Sequence, residues 1–191
     1  MRPCADLSAA AWLSTSDASP ERLISFGPAV FPAYARLRYV PDPIRPGMAE
    51  ADAQRLIDQA TDVEVARVAL EALARYSSST DHCYVCVWDG YGLFRDHEIA
   101  RHPLVTLPHR RYVLFTAVLD DLASWNDLFT SECDWPPAFV WPEDRRWFFA
   151  SDVDPHWAGI GADTSVIDQL IADTGLDVVP ADPSEKQPTY Y

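Results

Sequence analysis

Lysine is almost missing from this 191-residue chain: Lys186 is the only one, so fourteen of the fifteen basic residues are arginine. A bias that strong reads as a GC-rich coding background and not as adaptation to heat. Basic residues are scarce as a class. Twenty-nine Asp and Glu against fifteen Lys and Arg leave a formal charge of −14. Phosphate contact needs clusters of Lys and Arg, so this balance argues against generic binding to nucleic acid or to an anionic membrane surface. It favours encounter with a basic protein partner, although an acidic surface also serves solubility alone. No stretch approaches the roughly 18 apolar residues of a membrane span. Residues 1–17 carry one arginine and only a brief apolar run, without the core of a secretory leader. The four cysteines, Cys4, Cys83, Cys86 and Cys133, are therefore expected to be reduced thiols in a cytoplasmic protein.

Catalytic signatures are missing too. There is no G-x-S-x-G elbow and no calcium loop, and Gly159-x-Gly161 lacks the third glycine of a dinucleotide fingerprint. A non-enzyme is therefore expected, with no catalytic residue, no metal site and no cofactor.

What is there belongs to a globular chain. Hydrophobic residues make up 48% and tryptophan occurs seven times, which suits one domain spanning 1–191. At this length roughly 70% of the unfolded chain's surface can be buried, so a core forms without disulfides or metals. Residues 1–30 and the polar tail 180–191 are expected to pack loosely.

Periodicity predicts the elements. Ala9–Leu13 suits a short helix. Ser19-Pro20 opens another that Gly27-Pro28 stops. Tyr34–Tyr39 alternates like a strand with one wet face. Ala49–Ala60 and Val63–Tyr76 read as helices, the second capped by Asp62 with Val65, Val68, Ala69 and Ala72 as its apolar stripe. In Cys83–Phe94 (CYVCVWDGYGLF), Asp89-Gly90 between apolar runs predicts a hairpin, the centre of the sheet. Tyr112–Val118 reads as a strand buried on both faces. Asp120–Phe129 reads as a short helix with Leu122, Trp125 and Leu128 inward. Phe139–Trp141 and Trp147–Val153 are predicted strands joined by Pro142–Arg146, and His156–Ile160 a further one. A last helix begins at Asp163 or Thr164 and is stopped by Gly175. The fold class is α+β: an antiparallel-rich sheet of about five to seven strands, flanked by helices on one side, with a C-terminal helix.

Three groups of residues can carry chemistry. Cys83-x2-Cys86, followed by His97 and His102, approaches the spacing of a two-Cys, two-His metal site. Residues i and i+3 of a strand point to opposite faces, however, and favour cysteines as core filler. Asp152-x-Asp154 beside His156, with Asp89 joining them, could line a pocket as acid, base or cation ligands. Strand-end aspartates more often form turns. Trp88, Trp135, Trp141, Trp147 and Trp157 are the third group. Trp and Tyr beside Arg145 and Arg146 have the composition of a protein-binding hot spot, while tryptophan in a strand is more often core.

The segments CYVCVWDGYG (Cys83–Gly92), FVWPEDRRWFFASDVD (Phe139–Asp154) and FPAYAR (Phe31–Arg36) resemble a group of uncharacterised actinobacterial proteins. These share a C-W-x-C-x-W-D-G-Y-G run and a W-W-P-x-D-R-x-W run; here Tyr84 and Val140 stand where the pattern often has Trp. The resemblance implies architecture and a bacterial source, and carries no catalytic residues. More remotely, the element order is similar to that of the SUKH superfamily of toxin-immunity proteins. The leading expectation is a non-catalytic, immunity-like binding protein that presents an acidic, Trp-rich surface to a basic partner. Its surface would use Trp88, Asp89, Tyr91, Trp141, Arg145, Trp147, Asp152, Asp154 and His156. The alternative is a small-ligand binder or hydrolase-type enzyme built on Asp89, Asp152, Asp154 and His156.

Overall fold

The computed structural model describes residues 1–54, 60–78, 82–92, 94, 99–129 and 135–190. Among these residues nine strands form one antiparallel sheet. They are β1 (Arg2–Pro3), β2 (Ala33–Arg38), β3 (Cys83–Trp88), β4 (Leu104–Leu107), β5 (Arg110–Ala117), β6 (Phe139–Pro142), β7 (Trp147–Ala150), β8 (Trp157–Ala162) and β9 (Val178–Pro180). The described residues also form helices α1 (Ala11–Ser14), α2 (Pro20–Phe26), α3 (Glu50–Gln54), α4 (Asp62–Ala74) and α5 (Thr164–Ala172). The class is α+β. The strand count exceeds the expected five to seven because β1, β4 and β9, of two, four and three residues, are too short to leave a periodic trace.

Across the sheet the order is β1-β5-β3-β6-β7-β8-β2-β9, and β4 shares the edge of β5 with β1. Strand β3 lies between β5 and β6, with Val85 opposite Phe115 on one side and Val140 on the other. Its central place is as expected, but the hairpin at Asp89-Gly90 does not form. A type I′ turn needs positive φ at both central residues. The left-handed residue here is Gly92, at φ 61°, and Asp89–Tyr91 make a 3₁₀ turn that leaves the sheet. Phe94 then meets Phe129 in an isolated bridge; Leu93 lies outside the described residues. Reversals occur instead at Pro108-His109, where His109 takes φ 66°, and at Pro142–Arg146 as predicted, where Arg145 takes φ 53°.

Alternation divides the strands between two apolar layers. Val85, Val87, Phe115, Val140, Phe149 and Ile160 face α4, α5 and the 3₁₀ segment Leu119–Leu128. Cys86, Leu114, Phe139, Trp141 and Phe148 face α1 and α2 through Leu13 and Leu23. Helices therefore occupy the expected side, and the N-terminal pair covers the other. Residues 1–30 are not a loose arm: Leu13, Leu23 and Phe26 are buried, and the Met1 ammonium donates to Asp121 at 2.8 Å. At Gly159 of β8 an added Cβ would stand 2.0 Å from the Ser25 carbonyl oxygen, so α2 approaches the sheet as closely as a side chain-free residue allows. The tail is fastened as well: the Tyr190 hydroxyl donates to the Pro41 carbonyl.

Strand β2 has no wet face, because β8 and β9 flank it and its four middle residues, Arg36 included, are buried. The buried stripe of α4 keeps the expected Ala69 and Ala72 and adds Ala66, Leu70 and Leu73, while Val68 is exposed. Turning two leucines inward buries more apolar area than the valines would. Its N-cap is Thr61, not Asp62. Thr61 Oγ1 accepts from the Glu64 N–H and the Glu64 carboxylate accepts from the Thr61 N–H, a complete capping box. Helix α5 ends at Asp173, whose carboxylate takes the Gly175 N–H. Leu122 and Trp125 do point inward, from a 3₁₀ segment. Residues 55–59 of the longer helix expected over 49–60 lie outside the described residues, and among the described residues no helix is long and apolar enough to cross a membrane.

Candidate functional site

The turn after β3 organises an aromatic cluster. A Cβ on Gly90 would stand 2.2 Å from the Trp88 ring, so glycine there lets the indole fold back over the turn. Tyr91 meets that indole edge-on at 5.2 Å. Trp135 stacks on Tyr91 at 4.9 Å with an interplanar angle of 9°. Of the seven tryptophans Trp135 is the exposed one, at 43%. Tyr91 and Trp88 are half-buried beneath it.

A charged rim surrounds the rings. Arg110, first residue of β5, lays its guanidinium 5.2 Å from the Trp88 ring centre. It donates to both Asp152 oxygens, at 3.2 and 3.3 Å, and stands 3.8 Å from Asp154. The Asp152 hydrogen bonds raise its pKa further above the ordinary arginine value. Arg111 donates to Asp89 at 2.7 Å. Asp154 is 86% exposed. Five of the nine residues expected at the site, Trp88, Asp89, Tyr91, Asp152 and Asp154, thus gather around two arginines. Arg110, Arg111 and Trp135 complete the group, and neither arginine carries a sequence signal. Both read as loop or strand-start residues.

The other four lie elsewhere. Trp141 and Trp147 are fully buried on opposite faces of the sheet. Trp141 stacks on Tyr84 and Phe148, and the Trp147 indole N–H donates to Ser77 at 2.8 Å. Both are core. Arg145 lies over the Trp12 ring at 4.9 Å in the β6–β7 turn.

His156 belongs to a different cluster, one that sequence reading misses. Its Nε2 stands 3.1 Å from Asp42, which also accepts from Arg36 at 2.6 and 3.0 Å and from Arg38 at 3.1 Å. Arg38 reaches on to Asp177 at 2.6 Å. Burial raises the Asp42 carboxyl, but the hydrogen bonds from Arg36, His156 and Arg38 outweigh it and hold the group at about 2. For His156 burial dominates, pushing its pKa below the ordinary histidine value despite Asp42. Tyr190 packs its ring edge-on to His156 at 4.7 Å. The cluster ties β2, the loop after it and the chain's tail together. Asp89, Asp152, Asp154 and His156 are thus divided among Arg111, Arg110 and Asp42.

The thiols are placed as core filler. Cys83 and Cys86 face opposite layers of the sheet. Burial pushes the Cys83 thiol up to about 12 and raises Cys86 as well, so neither is a ready thiolate. His102 precedes β4; His97 and Cys133 lie outside the described residues. Among the described residues no group of three His, Cys, Asp or Glu side chains is placed to hold a metal ion.

Two cavities accompany these features. One, between α4 and the 119–128 segment, is a packing gap of about 10 Å³ lined by Ala66, Leu70, Leu122 and Trp125. The other is a cleft of about 370 Å³ between the loop 43–46 and the tail 186–189. Comparison of the chain with family models, with curated proteins and with solved structures returns no match.

Proposed function

We propose that this protein is a non-catalytic, immunity-like binding protein, and that the Trp88–Tyr91–Trp135 cluster is where its basic protein partner docks. The observation that supports this most is the exposure of Trp135, stacked on Tyr91, in a chain that otherwise hides its tryptophans. Aromatic side chains with arginine beside them dominate the energetics of protein interfaces. The exposed Trp135 and the exposed Asp154 suit a lysine or arginine from the partner, through cation–π and ionic contact. The net charge of −14 would speed encounter with a basic protein and make it sensitive to salt. The expected Trp-rich surface is narrowed by this reading: Trp141 and Trp147 belong to the core, and the cluster carries the role. A pocket enzyme built on Asp89, Asp152, Asp154 and His156 is the weaker reading, because those side chains are engaged with Arg111, Arg110 and Asp42.

The test compares immobilised wild type with Trp135→Ser in capture from a lysate of the host. Wild type should retain a basic protein that elutes as salt rises through roughly 0.5 M, and the variant should lose it while keeping its circular dichroism. Equal retention by both proteins would refute the assignment.

A further inference from the structure

The 370 Å³ cleft is separate from the aromatic cluster and shares none of its residues. Its size suits a small molecule. One wall is Pro43, Ile44, Arg45 and Pro46; the other includes Lys186 and Pro188. Both walls are fixed from behind. Asp42, next to Pro43, is held by Arg36, Arg38 and His156, and Tyr190, two residues beyond Pro188, is anchored to Pro41 and packed on His156. Prolines on both sides remove backbone freedom, so little ordering is left for a ligand to impose.

Charge and apolar surface in the cleft point the same way. Arg36, Arg38, Arg67, Arg110 and Arg111 are each paired with a carboxylate. The Arg45 guanidinium and the Lys186 ammonium, on opposite walls, have no hydrogen bond or ion pair to any described residue. Acidic residues outnumber basic ones by about two to one, and yet two cations face one cavity without a counter-charge. Ile44, next to Arg45 in its wall, is 87% exposed, the most exposed large apolar side chain among the described residues. We propose that this cleft binds a small organic anion, a carboxylate or phosphate carried on an apolar body, with Arg45 and Lys186 on the charged head and Ile44 and the prolines on the body.

The probe is 8-anilinonaphthalene-1-sulfonate, an apolar body with an anionic head, read by fluorescence and displaced by octanoate or by inorganic phosphate. Saturable binding to the full chain is expected, displaced by octanoate and not by phosphate. Arg45→Glu/Lys186→Glu should weaken it at least tenfold. Arg75→Glu/Arg101→Glu, which removes the same charge outside the cleft, should leave it within twofold. Because Lys186 is the only lysine, reductive methylation of its amine, followed by peptide mass spectrometry, gives a second readout, and octanoate should slow it severalfold. Undiminished binding in the cleft variant, an equal loss in the control variant, displacement by phosphate as readily as by octanoate, or methylation indifferent to octanoate would each overturn the proposal.

Discussion

At the scale of single residues, Asp42 shows how one carboxylate can hold three segments. It neutralises Arg36, which is buried to 5% exposure on β2, and receives Arg38 and His156 beside it. Asp42→Asn would leave the Arg36 guanidinium buried without a counter-ion and should cost about 3 kcal/mol of stability, read as a lowered urea midpoint at pH 7. The pH dependence has a definite sign. The folded carboxyl sits at about 2 against an ordinary 3.8, so its contribution is complete above pH 4 and is lost as pH falls through 2. His156 is depressed below its ordinary 6.5, so the folded state resists protonation and stability begins to fall just under that pH. Urea midpoints measured from pH 7 to pH 3 should therefore fall in two stages for wild type. His156→Gln should remove the upper stage; an unchanged upper stage would place its origin elsewhere. Gly159→Ala makes a steric test of a different kind. Its Cβ would meet the Ser25 carbonyl at 2.0 Å, a backbone atom that cannot swing aside, so α2 must lift at a cost of about 1–3 kcal/mol, visible as a lower melting temperature. Little of this was legible beforehand. Asp42 stands between two prolines and reads as loop, Arg36 reads as the wet side of a strand, and their meeting depends on a sheet order that spacing alone does not reveal.

At the scale of elements, the legible parts were those whose signal is local. Ser19-Pro20 starts α2 because cap and proline act within one turn, and the β6–β7 hairpin follows from a proline-led polar loop between aromatic strands. The Asp89-Gly90 hairpin failed because the same dipeptide also suits a 3₁₀ turn, and β3 had better partners than its own continuation. Pairing with β5 and β6 fills both its edges with apolar strands. The aromatic cluster was half legible: Trp88, Asp89 and Tyr91 are adjacent in sequence, whereas Trp135 and Arg110 arrive from distant segments. The Thr61 cap offers a clean check at this scale. Thr61→Ala removes the hydroxyl that accepts the Glu64 N–H and should cost about 1 kcal/mol. Asp62→Ala, at the position the sequence favours for the cap, should cost distinctly less, since thermal melts of the two variants compare a cap with a first-turn residue.

At the scale of the whole molecule, two apolar layers absorb five of the seven tryptophans wholly or in part into packing, and the acidic charge lies on what remains outside. Trp135 and Tyr91 are then an aromatic surface in a chain that has covered most of its others. The most direct test of that claim is hydroxyl-radical footprinting with peptide mass spectrometry, on the free protein and on the protein held by its captured partner. In the free protein Trp135 should oxidise fastest, Trp88 more slowly, and Trp125, Trp141, Trp147 and Trp157 least. In the complex Trp135 and Tyr91 should become protected. Oxidation of Trp135 and Tyr91 at the same rate in both states, with protection appearing on another face, would contradict the account.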